Sequence, residues 1–273
     1  MNEKLNDIEF SIFDTETTGL EPESGDRIIE IACVKLKGEQ VLKEFSTLVN
    51  PKRQIPEETV NIHHINNQML ENAPLMQQVM PGFLEFIKGS VLCAYNAAFD
   101  VSFLKKELQL LNQSFPSDVH IIDILMMARK LLPGLERYSL AYVSDSFGIR
   151  KTQDHRALSD VYLSIDVFNR LKKQFREKGV DDFNNFNTLF GLSSPYIEDI
   201  RNQKISRIQE AMELKVNLKI KYISSQSAEV TERQVLPRQL KQDNNRYYLI
   251  GYCNLRKEER IFAVDGILHL EIV

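Results

Sequence analysis

Residues 8–16, I-E-F-S-I-F-D-T-E, carry an apolar run into two acids that an ordinary core strand would exclude. The run is rich in Phe and Ile and is closed by Gly19 and Pro22, which predicts a β-strand. Side chains alternate along a strand, so an extended conformation through residue 16 puts Asp14 and Glu16 on one face. Two carboxylates side by side repel each other, and the arrangement costs free energy unless one takes up a proton or a cation sits between them. On these residues alone, a metal-binding pair and a strand that ends in a polar, solvated turn carry equal weight.

Two more strands are predicted over residues 27–36 and 40–49, joined at Lys37-Gly38-Glu39, which makes an antiparallel meander with the first. Helical spacing follows over 73–87, with Pro81-Gly82 expected to interrupt or kink it. A short strand is predicted at 91–95, a helix after it, a strand at 120–123 and a helix at 124–132 for which Asp123 is the N-cap. A further helix spans about 139–147 and closes at Gly148. Two later helices carry an acid where an apolar residue belongs. Asp100 falls on the stripe of Phe103, Leu104, Leu108 and Leu111, and Asp160 sits in the stripe of Ala157, Val161, Ile165, Phe168 and Leu171. A core-facing carboxylate needs a partner or a metal, and otherwise tends to take up a proton. His155, five residues before Asp160, would by itself more often be a surface or capping residue.

Gathered over one sheet, Asp14, Glu16, Asp100 and Asp160 would form an all-oxygen site suited to hard divalent cations and poor for zinc. Two such ions can activate a water and stabilise the leaving oxygen of an in-line phosphoryl displacement, and a histidine titrating near neutrality suits removal of the water's proton. The net charge of −4 does not advertise nucleic acid, but a metal site can bring its own positive charge. Cys33, Cys93 and Cys253 are far apart, which indicates neither a zinc site nor a disulfide framework. The first ten residues lack an apolar signal core, no stretch approaches the ~20 apolar residues of a membrane span, and a cytoplasmic protein is expected.

F-D-T-E-T-T-G at 13–19, Y-N-A-A-F-D-V-S-F-L at 95–104 and H-R-A-L-S-D at 155–160, in that order, resemble the three motifs of the DEDD exonucleases. The resemblance is to their DnaQ-like branch and its histidine subclass, and it runs from about residue 8 to 172 through N-P-x-x-x-I-P and I-H-H-I. It implies a ribonuclease H-like α/β fold, a mixed sheet flanked by helices. It also implies hydrolysis of nucleic acid from its 3′ end to nucleoside monophosphates, with two divalent cations, Mg2+ or Mn2+. Residue by residue, Asp14, Glu16, Asp100 and Asp160 match the metal-binding acids and His155 the general base. Thr15, Thr17 and Leu20 would line the terminal nucleotide, with His63, Asn96 and Phe99 nearby, although Phe99 serves core packing as readily. Single-stranded DNA is the favoured substrate, RNA stays open, and a DNA polymerase assembly is a candidate partner. The reading from another class is a non-catalytic sensor that binds nucleic acid and answers to the C-terminal module.

The expected organisation is a nuclease domain over 1–175, a linker over 176–196 and a second domain over 197–273. Four phenylalanines, Phe175, Phe183, Phe186 and Phe190, indicate that the linker packs on something. The second unit reads as a helix followed by strands at 216–223, 229–236, 246–253 and 259–264. Through Lys219-Ile220-Lys221-Tyr222, Arg233 with Pro237, Tyr247-Tyr248-Leu249-Ile250-Gly251-Tyr252 and Arg260-Ile261-Phe262 it resembles a WYL domain, a small mostly-β module of the SH3/Sm-like barrel kind. Tyr247 stands in place of the name-giving tryptophan, and Gly266 where an arginine is common. Residues 193–273 hold 13 Lys and Arg against 11 Asp and Glu, whereas residues 1–192 hold 21 against 27. Such a module could hold a nucleotide or a single strand, although Tyr247, Tyr248 and Tyr252 read more readily as plain strand residues.

Overall fold

The computed structural model describes residues 3–150, 153–192, 195–244 and 246–273, with the side chains of Pro195 and Tyr196 outside that description. The opening meander comprises β1 (Glu9–Thr17), β2 (Ile28–Lys37) and β3 (Gln40–Leu48), paired antiparallel. Gly38, at φ +63°, makes the tight turn between β2 and β3. Short helices α1 (Glu57–His63) and α2 (Asn67–Leu70) lead to α3 (Met76–Ile87). The interruption expected at Pro81 is absent: α3 runs through it, because burial of Met76, Val79, Met80, Phe83 and Ile87 outweighs one missing backbone hydrogen bond.

The chain then alternates strand and helix: β4 (Val91–Ala94), α4 (Ala97–Leu110), β5 (Ile121–Asp123), α5 (Ile124–Leu131), α6 (Leu140–Ser146) and α7 (Ala157–Glu177). Both β4 and β5 run parallel to β1, which gives a mixed sheet in the order β3-β2-β1-β4-β5. Strand β1 is apolar on both faces because helices cover both. Phe10 and Ile12 meet Val161, Ile165 and Phe168 of α7 on one side, and Phe13 joins Phe83, Phe103 and Leu104 on the other.

Residues 176–196, expected as a linker, carry a docked helix, α8 (Phe183–Phe190), capped by the Asp182 side chain. Phe186 is fully buried and meets Phe10, Phe168, Phe175 and Phe190 at centroid distances of 5.1 to 6.3 Å. Residues 191 and 192 then pair with the free edge of β5.

After α9 (Pro195–Leu214), the strands β6 (Leu218–Ile223), β7 (Val230–Asp243), β8 (Arg246–Cys253), β9 (Glu258–Ala263) and β10 (Ile267–Ile272) form an antiparallel sheet ordered β10-β6-β7-β8-β9. The last of these strands was not anticipated. Among the described residues β10 and β9 remain the two edges, so pairing leaves the sheet open where a small barrel was expected. The bend a barrel uses is present, since the 14-residue β7 shifts register between Pro237 and Gln239, but no pairing carries it to closure. The two units share apolar core, for Ile223 and Leu268 pack into the cluster built around Phe10 and Phe168. All three cysteines are buried thiols, and among the described residues no helix is long and apolar enough to cross a membrane.

Candidate active site

Asp14 and Glu16 continue the Phe10 and Ile12 face of β1, the side on which α7 docks. Asp160, in the first turn of α7, therefore arrives against them, and carboxylate oxygens of Asp14, Glu16 and Asp160 lie within 4.8 Å of one another. Asp100 comes from the first turn of α4, on the side of β1 where Thr15 points. Its Oδ1 accepts from the Thr15 backbone N at 3.0 Å and from Thr15 Oγ1 at 2.7 Å. Three of the four expected acids thus meet tightly, and the fourth stands beside them with one oxygen engaged.

The electrostatics match this crowding. Burial is the first cause in every case, and the neighbouring carboxylates add to it. Asp14 is raised well above the usual carboxylate range by burial and then by Asp100, Glu16, Asp160 and Glu30. Glu16 is pushed up to about 8, by burial and then by Asp160, Glu30 and Asp100. Asp100 rises to about 7 through burial, against the lowering effect of its bonds from Thr15. Asp160 is raised by burial, offset by the Gln153 side chain and then by the charge of His155. An oxygen-only donor set that must otherwise hold protons is a fitting cradle for hard divalent cations.

His155 is exposed beside Asp160, with a left-handed backbone at φ +50°. Gly19 closes the loop after β1, where an added Cβ would strike the Asp26 carboxylate that accepts from Thr18 Oγ1 and from the Glu21 backbone N. Of the residues expected around a terminal nucleotide, Thr15 and Thr17 are buried and turned to partners within the protein, Asp100 and the Gly19 carbonyl. Leu20 is 79% exposed. Asn96 is exposed in the left-handed N-cap of α4, and Phe99 is half-buried with its ring 5.0 Å from that of Phe103. His63 is buried; its Nδ1 accepts from the Ile65 backbone N, and burial lowers its pKa. Its Nε2 faces the Thr17 backbone but makes no hydrogen bond among the described residues. Asp123 caps α5 as expected, accepting from the backbone N of Leu125 and Met126.

Sequence reasoning missed Glu30. This buried residue of β2 accepts both Arg156 Nη2, at 2.7 Å, and Arg156 Nε, at 3.1 Å, together with the Ala157 backbone N at 2.9 Å. An acid in the otherwise apolar run I-I-E-I-A-C-V was the available signal.

A family model described as "Exonuclease" matches residues 11–168, and one described as "WYL domain" matches residues 203–272. Among similar proteins, a DNA polymerase III subunit epsilon of Treponema pallidum (strain Nichols) is 40% identical over 166 residues, covering 60% of this chain and 76% of that protein. A PolC-type DNA polymerase III of Caldanaerobacter subterraneus subsp. tengcongensis is 36% identical over 181 residues, 66% of this chain, but the match spans only 13% of that polymerase. Among solved structures, the nuclease domain of 3′hExo bound to rAMP superposes with a TM-score of 0.56 at 19% identity, covering 68% of this chain and 96% of its own. The zinc-bound E. coli ExoI–ssDNA complex gives a TM-score of 0.57 at 14% identity and covers 97% of this chain and 64% of its own. At these identities the structural likeness is one of fold, and in the second case it extends over both units.

Proposed function

This chain belongs to the exonuclease family, and on that footing we propose that it hydrolyses nucleic acid from the 3′ end, releasing nucleoside monophosphates. The observation that carries the reading is the meeting of Asp14, Glu16 and Asp160 within 4.8 Å, beside Asp100 and His155. These acids would hold two divalent cations, Mg2+ or Mn2+, which when bound supply positive charge to the scissile phosphate and lower the pKa of the attacking water. His155 accepts the proton of that water as its oxygen bonds to phosphorus and the bond to the preceding 3′ oxygen breaks. Asp100, held by Thr15, keeps the rim of the site in register with β1. In this reading Leu20, Asn96, Phe99 and Thr17 would border the terminal nucleotide, with the buried His63 beside the Thr17 backbone.

Single-stranded DNA is the preferred substrate in this reading. It is supported by the ExoI–ssDNA complex whose fold spans both units, and a polymerase partner by the epsilon and PolC-type relatives. The cytoplasm is the proposed compartment. For the C-terminal module we propose a nucleotide or single-strand ligand in a cavity of about 810 Å³ between the units, lined by Lys130, Arg201, Arg246, Tyr222, Tyr247 and Tyr248. Burial pushes Lys130 down to about 8, so a bound phosphate would favour its charged form.

The test is a 5′-labelled oligonucleotide, as DNA and as RNA, incubated with Mg2+, Mn2+ or EDTA. A ladder shortened from the 3′ end and lost with EDTA or Asp14→Ala supports the enzyme. Binding of intact strands under every metal condition would instead favour the non-catalytic sensor. For the cavity, dAMP is titrated in EDTA, and binding unchanged by Arg246→Ala would remove the proposed site.

A further inference from the structure

Glu30 lies directly opposite Glu16 in the β1–β2 register and is 4% exposed. Like charges placed opposite one another across antiparallel strands destabilise the pair. The charge of Glu30 also helps to raise the pKa of both Asp14 and Glu16. A fifth carboxylate therefore adds repulsion to a site already crowded with acids, and a glutamate at this position needs a use that repays it.

Its oxygens show what that use is. Oε1 takes Arg156 Nη2, and Oε2 takes Arg156 Nε together with the first amide of α7, from Ala157. Glu30 is outside the group of close carboxylates formed by Asp14, Glu16 and Asp160. The bidentate fork fixes the Arg156 side chain in direction as well as distance, and the amide bond fixes the start of the helix. On the other side of His155, Gln153 Nε2 donates to Asp160 Oδ2 at 3.0 Å and the Asp154 backbone N donates to Asp160 Oδ1 at 3.3 Å. His155 thus sits in a short loop whose flanks are tied to two carboxylates, one on β2 and one on α7. Its backbone is in the left-handed region, which a non-glycine residue keeps only when its surroundings hold it there.

We infer that Glu30, acting through Arg156, is a positioning residue that holds His155 over the acidic site. This rests on the reading of His155 as the general base proposed above. Glu30 touches neither substrate nor the reacting atoms; its charge also bears on Asp14 and Glu16, and at saturating metal the remaining effect reaches the reaction through the imidazole.

The test is a double-mutant cycle on the full chain at saturating Mg2+, which removes differences in metal affinity. Glu30→Gln and Arg156→Gln are each made alone and in the His155→Ala background, and kcat and KM are measured on a 5′-labelled oligonucleotide. Each single variant is expected to lose about 10- to 100-fold in kcat, no more than the ~10²- to 10⁴-fold a general base contributes, with KM changed less than about threefold. Arg156→Lys, which keeps the charge but not the fork, recovers part of the loss. In the His155→Ala background the same substitutions cost less than about threefold, because the group they position is gone. Equal losses in both backgrounds, or a rise in KM with kcat intact, overturn the inference. A His155→Ala protein that keeps its rate overturns the base assignment itself, and the positioning role with it. Thermal unfolding of each variant checks the fold, and the Arg156 series carries the test by itself should Glu30→Gln prove insoluble.

Discussion

Glu16 and Asp100 sit at about 8 and about 7, above the values their side chains take in an unfolded chain. Between about pH 5 and about pH 8 the folded, metal-free protein therefore holds more protons than the unfolded one, and its stability falls as pH rises through that window. In EDTA the thermal midpoint is expected to be lower at pH 8 than at pH 6 by about 3 °C or more, and added Mn2+ to cancel the difference. A midpoint that instead rises with pH in EDTA would mean that these acids are solvated. Asp14→Asn separates stability from function: relief of repulsion raises the midpoint in EDTA at pH 8, while cleavage in Mg2+ disappears. Both outcomes are read on one preparation, by calorimetry and by the labelled strand. Asp100 and Asp160 were legible in the sequence because each breaks an apolar helical stripe. Glu30 was not tied to the site, since nothing local connects it with Arg156, 126 positions later.

Helix α8 shows how a helix can be mistaken for a connection. Asp182 caps it, and Phe183, Phe186 and Phe190 recur at helical spacing, so the signal was present in a stretch whose asparagines and glycines suggested an exit from the domain. Its inner face is a stack of aromatic rings against Phe175 and Phe168. Phe186→Ala is expected to cost about 3–5 kcal/mol in urea unfolding, as a large side chain removed from a closed core. A cost below about 1 kcal/mol would return α8 to the status of a tether. Strand β10 was harder to foresee, because its pairing with β6 joins segments far apart in the chain and its alternation is short.

The two units are not independent beads. Ile223 and Leu268 of the C-terminal sheet lie in the same cluster as Phe10 and Phe168 of the nuclease, and Lys221 Nζ reaches the Gly179 carbonyl. One cooperative unfolding transition is expected for the whole chain, and Ile223→Ala should lower the stability of the nuclease sheet by about 2–5 kcal/mol. Two separate transitions by calorimetry, with Ile223→Ala moving only one, would contradict the shared core. The expected division into two units rested on the change in composition after Lys172. Their joining was not legible, because a sequence pattern shows which face is apolar and not what covers it.

The spread of the acids along the chain also has a consequence for synthesis. On the ribosome β1 and its two carboxylates emerge first, but Asp160 belongs to α7, which docks on β1 and β2 only when the chain through Glu177 is clear of the exit. Until that docking the acidic cluster lacks Asp160, and the loop that carries His155 lacks its ties to Glu30 and Asp160. On the proposed reading, the growing chain holds no complete site until α7 is free to dock.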